Sequence, residues 1–185
     1  GKQGYEIAKS LLKKGFDTTL ISGPTKLEIN DEINLINVET AEEMFQATLN
    51  SLPTDVAIFS AAVGDYKVKK KSERKIKKQN KLNLELEKNV DILNYVSNHN
   101  SLRPRLVVGF AAETDNLENH AINKLNEKNC DWIVANDVSN KKIGFNSDFN
   151  EVSIFYKNNK IERLKYKPKS EISDELVDKI INHLN

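Results

Sequence analysis

The sequence predicts an α/β protein: a three-layer α/β/α sandwich around a mostly parallel sheet, closed by a C-terminal β-hairpin. Three observations predict it. The runs VAIFSAAV (56–63) and LVVGFAAE (106–113) are apolar at successive positions, as strands covered by helices on both faces must be. Segments with helical spacing of apolar residues lie between the strands. The last two strands, by contrast, are joined only by the polar turn Lys157-Asn158-Asn159-Lys160.

Taken in order, GYEIAKSLLKKG predicts a first helix with Ile7, Ala8, Leu11 and Leu12 on one face and Gly15 as its stop. Strands are expected at 18–22, before the Gly23-Pro24 turn, and at 33–38. A helix over 41–49 follows, with Thr40 as N-cap. The run 56–63 reads as a central strand. From Lys67 to Lys81 the character changes: nine basic residues and one acid, with no hydrophobic period. This predicts a long solvated loop, and residues 66–81 are read as a flexible basic flap. Leu82, Leu84 and Leu86 alternate as in a short strand, and a helix starts near Asn89 or Asp91. Strand 106–113, helix 117–128 and strand 131–137 complete the parallel pattern. The hairpin 152–156/161–165 and a last helix over 173–184, with Leu176, Val177, Ile180 and Leu184 on one face, end the chain.

A chain of 185 residues suits one domain spanning 1–185 with a core of its own. The net charge of +1 gives no general reason to expect a nucleic acid or membrane partner. No apolar run approaches the roughly 20 residues that cross a bilayer. Cys130 is the single cysteine, which excludes an internal disulfide and a cysteine-cluster zinc site; a packing role and a cytoplasmic location are expected. His99, His120 and His183 pair with no serine, cysteine or metal-like cluster in the sequence, so neither a hydrolase triad nor a zinc centre is indicated. The chain opens at Gly1, and an upstream segment is expected.

In sheets of this class ligands bind at the carboxyl ends of the strands. Those ends carry Ala61-Ala62-Val63, Gly109-Phe110-Ala111 and Asn136-Asp137. GKQG (1–4) opens a helix whose free N–H groups suit a phosphate, although it lacks P-loop spacing; a plain helix start is the alternative. Asp65, after AAVG, is open between cation or hydroxyl binding and an ordinary turn. Phe110 is open between core packing and base stacking. Lys124 and Lys128 stand four apart and share a helix face. KIKK (75–78) has the charge of a nucleic-acid site but no interleaved aromatics, so a solvated loop or a flap over polyphosphate competes with that reading.

Together GKQG, LISGP (20–24), VETAEEM (38–44), AAVGDY (61–66), KIKK, KNVDIL (88–93), VGFAAET (108–114), DWIVANDV (131–138) and GFNSDFN (144–150) resemble one family, the phosphopantothenoylcysteine synthetases. The resemblance runs from Gly1 to about Phe155. It implies a Rossmann-like fold, a homodimer, and in many bacteria fusion to a flavin-dependent decarboxylase. It implies a ligase that joins L-cysteine to 4'-phosphopantothenate with CTP and Mg2+ or Mn2+, through an acyl-cytidylate, releasing pyrophosphate and then CMP. Carried onto this chain, it assigns Phe59, Ser60, Ala61, Asp65, Lys75, Lys88, Asn89, Val90, Phe110, Lys124 and Lys128 to the nucleotide. Lys75 is the catalytic residue implied, and Asp65 the metal ligand. Gly1, Lys2, Gly4 and Ala62 fall to the substrate. The chain departs from the family pattern in three places. Val90 stands for the usual proline, Gly64 for alanine, and the asparagine and serine pair that precede GKQG in the family lie upstream of Gly1. The expectations outside this family are a basic-loop nucleic-acid module and a catalytically silent nucleotide-binding domain.

Overall fold

The computed structural model describes residues 1–29, 32–70, 72, 74–77, 81–138 and 147–185. The elements run α1 (Lys2–Lys13), β1 (Thr19–Ser22), β2 (Asn34–Asn37), α2 (Ala41–Asn50), β3 (Val56–Phe59), β4 (Tyr66–Val68), β5 (Leu86–Lys88), α3 (Ile92–Ser97), β6 (Leu106–Glu113), α4 (Leu117–Lys128), β7 (Trp132–Asp137), β8 (Phe149–Tyr156), β9 (Ile161–Pro168) and α5 (Lys169–Leu184). The main sheet has the order β3-β6-β7-β8-β9. Its first three strands are parallel, and β8 and β9 add the antiparallel hairpin that the polar turn requires. β1 and β2 pair in parallel as a separate two-stranded sheet.

The period-2 alternation of β6 and β7 builds the layers. Leu106, Val108, Trp132 and Val134 point to one face, where they pack with Ile172, Leu176, Val177 and Ile180 of α5 and with Ile7 of α1. Val107, Ala111, Ile133 and Ala135 point to the other and meet Ala121 and Leu125 of α4, with Leu93 of α3 beside them. Each fully buried Leu, Ile or Val contributes about 1.5–3 kcal/mol. Cys130 joins the second cluster, and burial pushes its thiol up to about 11, so the thiolate is scarce at neutral pH. The Arg103 guanidinium and the Asp131 carboxylate, 3.0 Å apart, tie the loop before β6 to the start of β7.

Helix boundaries follow local chemistry. Thr40 Oγ1 accepts from the Glu43 N–H at 3.1 Å, the cap expected of α2. Gly15 takes φ +85 after α1, which only glycine adopts without strain.

Three expectations are corrected. The run 56–63 pairs only to Phe59, and β3 is an edge of the main sheet, half-exposed along its length, rather than a central strand. An apolar run with no polar alternation reports burial tendency, not the number of neighbours. Tyr66–Val68 is not loop but β4, antiparallel to β5. The second strand of that pair is Leu86–Lys88, not 82–86, because its register is set by β4 rather than by the leucine alternation. Leu82, Leu84 and Leu86 are all more than half exposed. Part of the expected flap, Lys71, Glu73 and 78–80, lies outside the described residues.

The hairpin carries a charge cluster that can be tested directly. Glu162 lies between Lys160, at 2.5 Å, and Lys179 of α5. Hydrogen bonds from Lys160 and then Lys179 hold its carboxyl at about 2, below the ordinary 4.5. A depressed carboxyl stabilises the fold fully above about pH 4.5 and loses that contribution as pH falls through about 2. Glu162→Gln is therefore expected to cost no more than about 1 kcal/mol at pH 7, since the group is solvent-screened. The difference from wild type should close between pH 4.5 and 2 in urea melts; a difference that persists at pH 2 would contradict this.

Candidate nucleotide site at the carboxyl ends of the strands

The site is assembled from three chain segments that the fold brings together. After β3 the chain leaves the sheet at Ser60 and passes through exposed Ala61 and Ala62 to Gly64 and Asp65. Asn89 fixes this turn twice: its N–H donates to the Asp65 carbonyl and its Nδ2 to the Gly64 carbonyl, both at 2.8 Å. The third segment is α4. Lys124 and Lys128 lie one turn apart on it, both half-buried. Lys124 Nζ donates to the Phe110 carbonyl on β6 at 2.9 Å. Lys128 Nζ meets Asp91 Oδ2 at 2.6 Å.

Asp91 is the N-cap of α3, with Oδ1 accepting from the Asn94 N–H at 2.9 Å. Burial opposes ionisation of Asp91, but the Lys128 ammonium and the Asn94 N–H outweigh it and hold its carboxyl below the ordinary range. The hydrogen bond to Asp91 raises the Lys128 ammonium against the cost of burial, with a smaller contribution from Asp65. Asn89, which holds the Gly64-Asp65 turn, stands two residues before Asp91, so that turn is joined to Lys128 through the start of α3. Asp65, Asn89, Phe110, Lys124 and Lys128 thus share one region of the molecule.

The approach of α1 to β3 needs a small residue. A Cβ on Gly4 would stand 2.6 Å from Ser60 Oγ, so a larger residue there would have to turn the Ser60 hydroxyl away from the helix start. The same helix start meets SDFN. Lys2 Nζ pairs with Asp148 at 2.5 Å, Asn150 Nδ2 donates to Gln3 Oε1 at 3.2 Å, and the buried Lys169 donates to the Ser147 carbonyl at 2.6 Å. Burial first, then Lys2, lowers the Lys169 ammonium below its ordinary value. A cavity of about 350 Å³ opens there, lined by Lys2, Tyr5, Leu27, Asp148 and Lys169 among others. None of its lining residues belongs to the lysine cluster on α4.

Not every expected residue joins the group. Lys75 is exposed, and no described contact ties it to Lys124 or Lys128. Lys88 is exposed at the end of β5, and Val90 is exposed beside Asn89. Phe59 is half-buried against the α4 side of the sheet, with its backbone paired to Gly109. Phe110 packs partly into the α5 side, so its core role holds for part of the ring. Gly144, Phe145 and Asn146 of GFNSDFN lie outside the described residues. Among the described residues no group of three or more His, Cys, Asp or Glu side chains could hold a metal by itself. A single exposed carboxylate such as Asp65 fits a magnesium-type cation only when phosphate oxygens and water supply the remaining ligands. His120 Nδ1 lies 3.2 Å from Glu113 at the end of β6, a pair the sequence did not flag because seven residues separate its members.

Residues 1–184 match the model of the DNA/pantothenate metabolism flavoprotein C-terminal domain. The chain is 43% identical over 183 residues to the coenzyme A biosynthesis bifunctional protein CoaBC of Haemophilus influenzae, covering 98% of this chain and 45% of that protein. It is 38% identical over 183 residues to CoaBC of Bacillus subtilis, again covering 45% of the relative. The chain thus spans a little under half the length of these relatives. A crystal structure of a CoaBC C-terminal domain superposes with a TM-score of 0.82 at 34% identity, covering 100% of this chain and 83% of that one. A Cab2 mutant solved in complex with phosphopantothenate-cysteine shares the fold at 14% identity and a TM-score of 0.73. The chain belongs to the family of DNA/pantothenate metabolism flavoprotein C-terminal domains, and it is similar to the C-terminal domain of the CoaBC proteins.

Proposed function

We propose that this domain is a phosphopantothenate–cysteine ligase that uses CTP, in coenzyme A synthesis. The observation that carries the reading is that Lys124 bonds the Phe110 carbonyl of β6 while Lys128 pairs with Asp91, two residues from the Asn89 that holds the Gly64-Asp65 turn after β3. A carboxylate attacking a triphosphate faces strong repulsion between like charges. Two ammonium groups fixed on one helix lower that barrier and favour the pyrophosphate that departs. A divalent cation held by Asp65 and the triphosphate oxygens would supply further charge neutralisation. Asn89 holds the Gly64-Asp65 turn in place, which orients the Asp65 backbone. Phe110 meets Lys124 through its carbonyl, and its half-buried ring, on the α5 side of the sheet, is the aromatic surface this reading gives to the base. Lys75, on its exposed basic stretch, reaches the nucleotide only if that stretch closes, which would also keep water from the acyl-cytidylate. Cysteine then attacks the acyl carbon and CMP leaves.

The start of α1, with Gly1, Lys2 and Gly4, takes the phosphate of 4'-phosphopantothenate in this reading, and Ala62 lines the approach. The proposed enzyme works in the cytoplasm as a homodimer. The exposed Tyr66, Val68, Leu82, Leu84 and Leu86 support a second copy, since an apolar arm of this kind is costly to leave in water. The relatives' bifunctional names support a natural chain that also carries a flavin-dependent decarboxylase.

Thermal unfolding with magnesium tests the reading. CTP at about 100 times its dissociation constant should add roughly 2.7 kcal/mol of stability, and ATP less. Formation of phosphopantothenoylcysteine should then be followed with the gene's full product. No response to CTP, with a salt-sensitive response to short RNA, would overturn the proposal in favour of a basic-loop nucleic-acid module.

A further inference from the structure

The two oxygens of Asp91 do separate work. Oδ1 caps α3 through the Asn94 N–H at 2.9 Å, and Oδ2 holds the Lys128 ammonium at 2.6 Å. As a brace between α3 and α4, a pair this exposed is worth little, about 0–1 kcal/mol. Its position matters more. Lys128 is one turn from Lys124, whose ammonium rests on the neutral carbonyl of Phe110. Of the two lysines, one is therefore paired directly with a carboxylate and the other rests on a neutral carbonyl. The ammonium has three donors, so a phosphate can draw Lys128 partly or wholly off Asp91.

We propose that Asp91 is a positioning residue: it aims Lys128 at the nucleotide site and, by competing with phosphate for that ammonium, sets how tightly triphosphate and departing pyrophosphate are held. The inference rests on the ligase reading given above. A site that grips pyrophosphate with two unopposed lysines retains its product. A carboxylate that recaptures one of them on each cycle lets the product go.

Asp91→Asn isolates the charge, because asparagine caps a helix as well as aspartate does. Asp91→Ser serves as a second variant that also keeps the cap. Titration calorimetry with CTP and with inorganic pyrophosphate is expected to show both ligands bound about 3–10-fold more tightly by either variant, with a steeper salt dependence. The turnover number and KM for CTP should fall together, because release of pyrophosphate slows. In a Lys128→Met background the same substitutions should leave both affinities unchanged. Unchanged or weaker binding in the variants, or the same gain in the Lys128→Met background, would overturn the inference while leaving the ligase reading intact. A wild-type protein that binds neither CTP nor pyrophosphate would overturn both.

Discussion

Lys124→Ala is expected to lower kcat/KM for CTP by about two orders of magnitude or more and to remove most of the thermal stabilisation by CTP. The physical basis is the position of the ammonium. It is half-buried and held in place by the Phe110 carbonyl 2.9 Å away on β6. A donor preorganised in this way stabilises developing negative charge without first having to be ordered, and deleting one such group costs about 10²–10³-fold in rate. Lys124→Ala also removes a hydrogen bond of about 1 kcal/mol, which alone would lower the melting temperature. Lys124→Gln separates the two effects. Its amide can still donate to Phe110, so stability should return toward wild type while activity stays low. Recovery of activity in the glutamine variant would show that Lys124 acts through packing and not through charge.

Gly109→Ala should be the most damaging small change in the core near the site. A Cβ there would stand 2.7 Å from Leu93 Cδ2 of α3 and 2.8 Å from Ile133 Cδ1 of β7. Ile133 is fully buried and has no room to move, whereas Leu93 is only partly buried, so Leu93 is the side chain that must give way. Overpacking of this kind costs about 1–3 kcal/mol. The consequence reaches the site, because moving Leu93 moves the start of α3 and with it Asp91. Denaturant melts should show the loss of stability, and CTP affinity in the folded variant should change with it. The double variant Gly109→Ala/Leu93→Ala makes room for the methyl group and should recover part of the stability. No loss in the single variant would mean that α3 is not held against β6 as tightly as these distances state.

Much of the architecture was legible before any coordinates. The sequence bounds helix 117–128 and strand 106–113 to the residue, because apolar spacing is a local signal. The sequence also predicts the hairpin and the last helix, but short of their full lengths. β8 begins at Phe149 and α5 at Lys169, where polar residues are recruited by tertiary contacts that no period announces. The edge position of β3 and the pairing of β4 with β5 went unread for a related reason: a strand's neighbours are chosen by distant segments.

The candidate site divides in the same way. The residue types and their order along the chain, GKQG through GFNSDFN, were enough to point to the family, since ordered motifs are carried by the sequence itself. That Lys124 and Lys128 share a face follows from helical geometry alone. Which groups those lysines touch does not. Asp91 and Lys128 are far apart in the chain, as are Lys2 and Asp148, and Gly4 and Ser60. By itself the sequence determined the layers, the strand ends that carry the chemistry, and the family. Only the tertiary structure decided that one site lysine is paired directly with a carboxylate and the other with a carbonyl, because charge pairing depends on distance through space, which the folding of α3 against α4 sets.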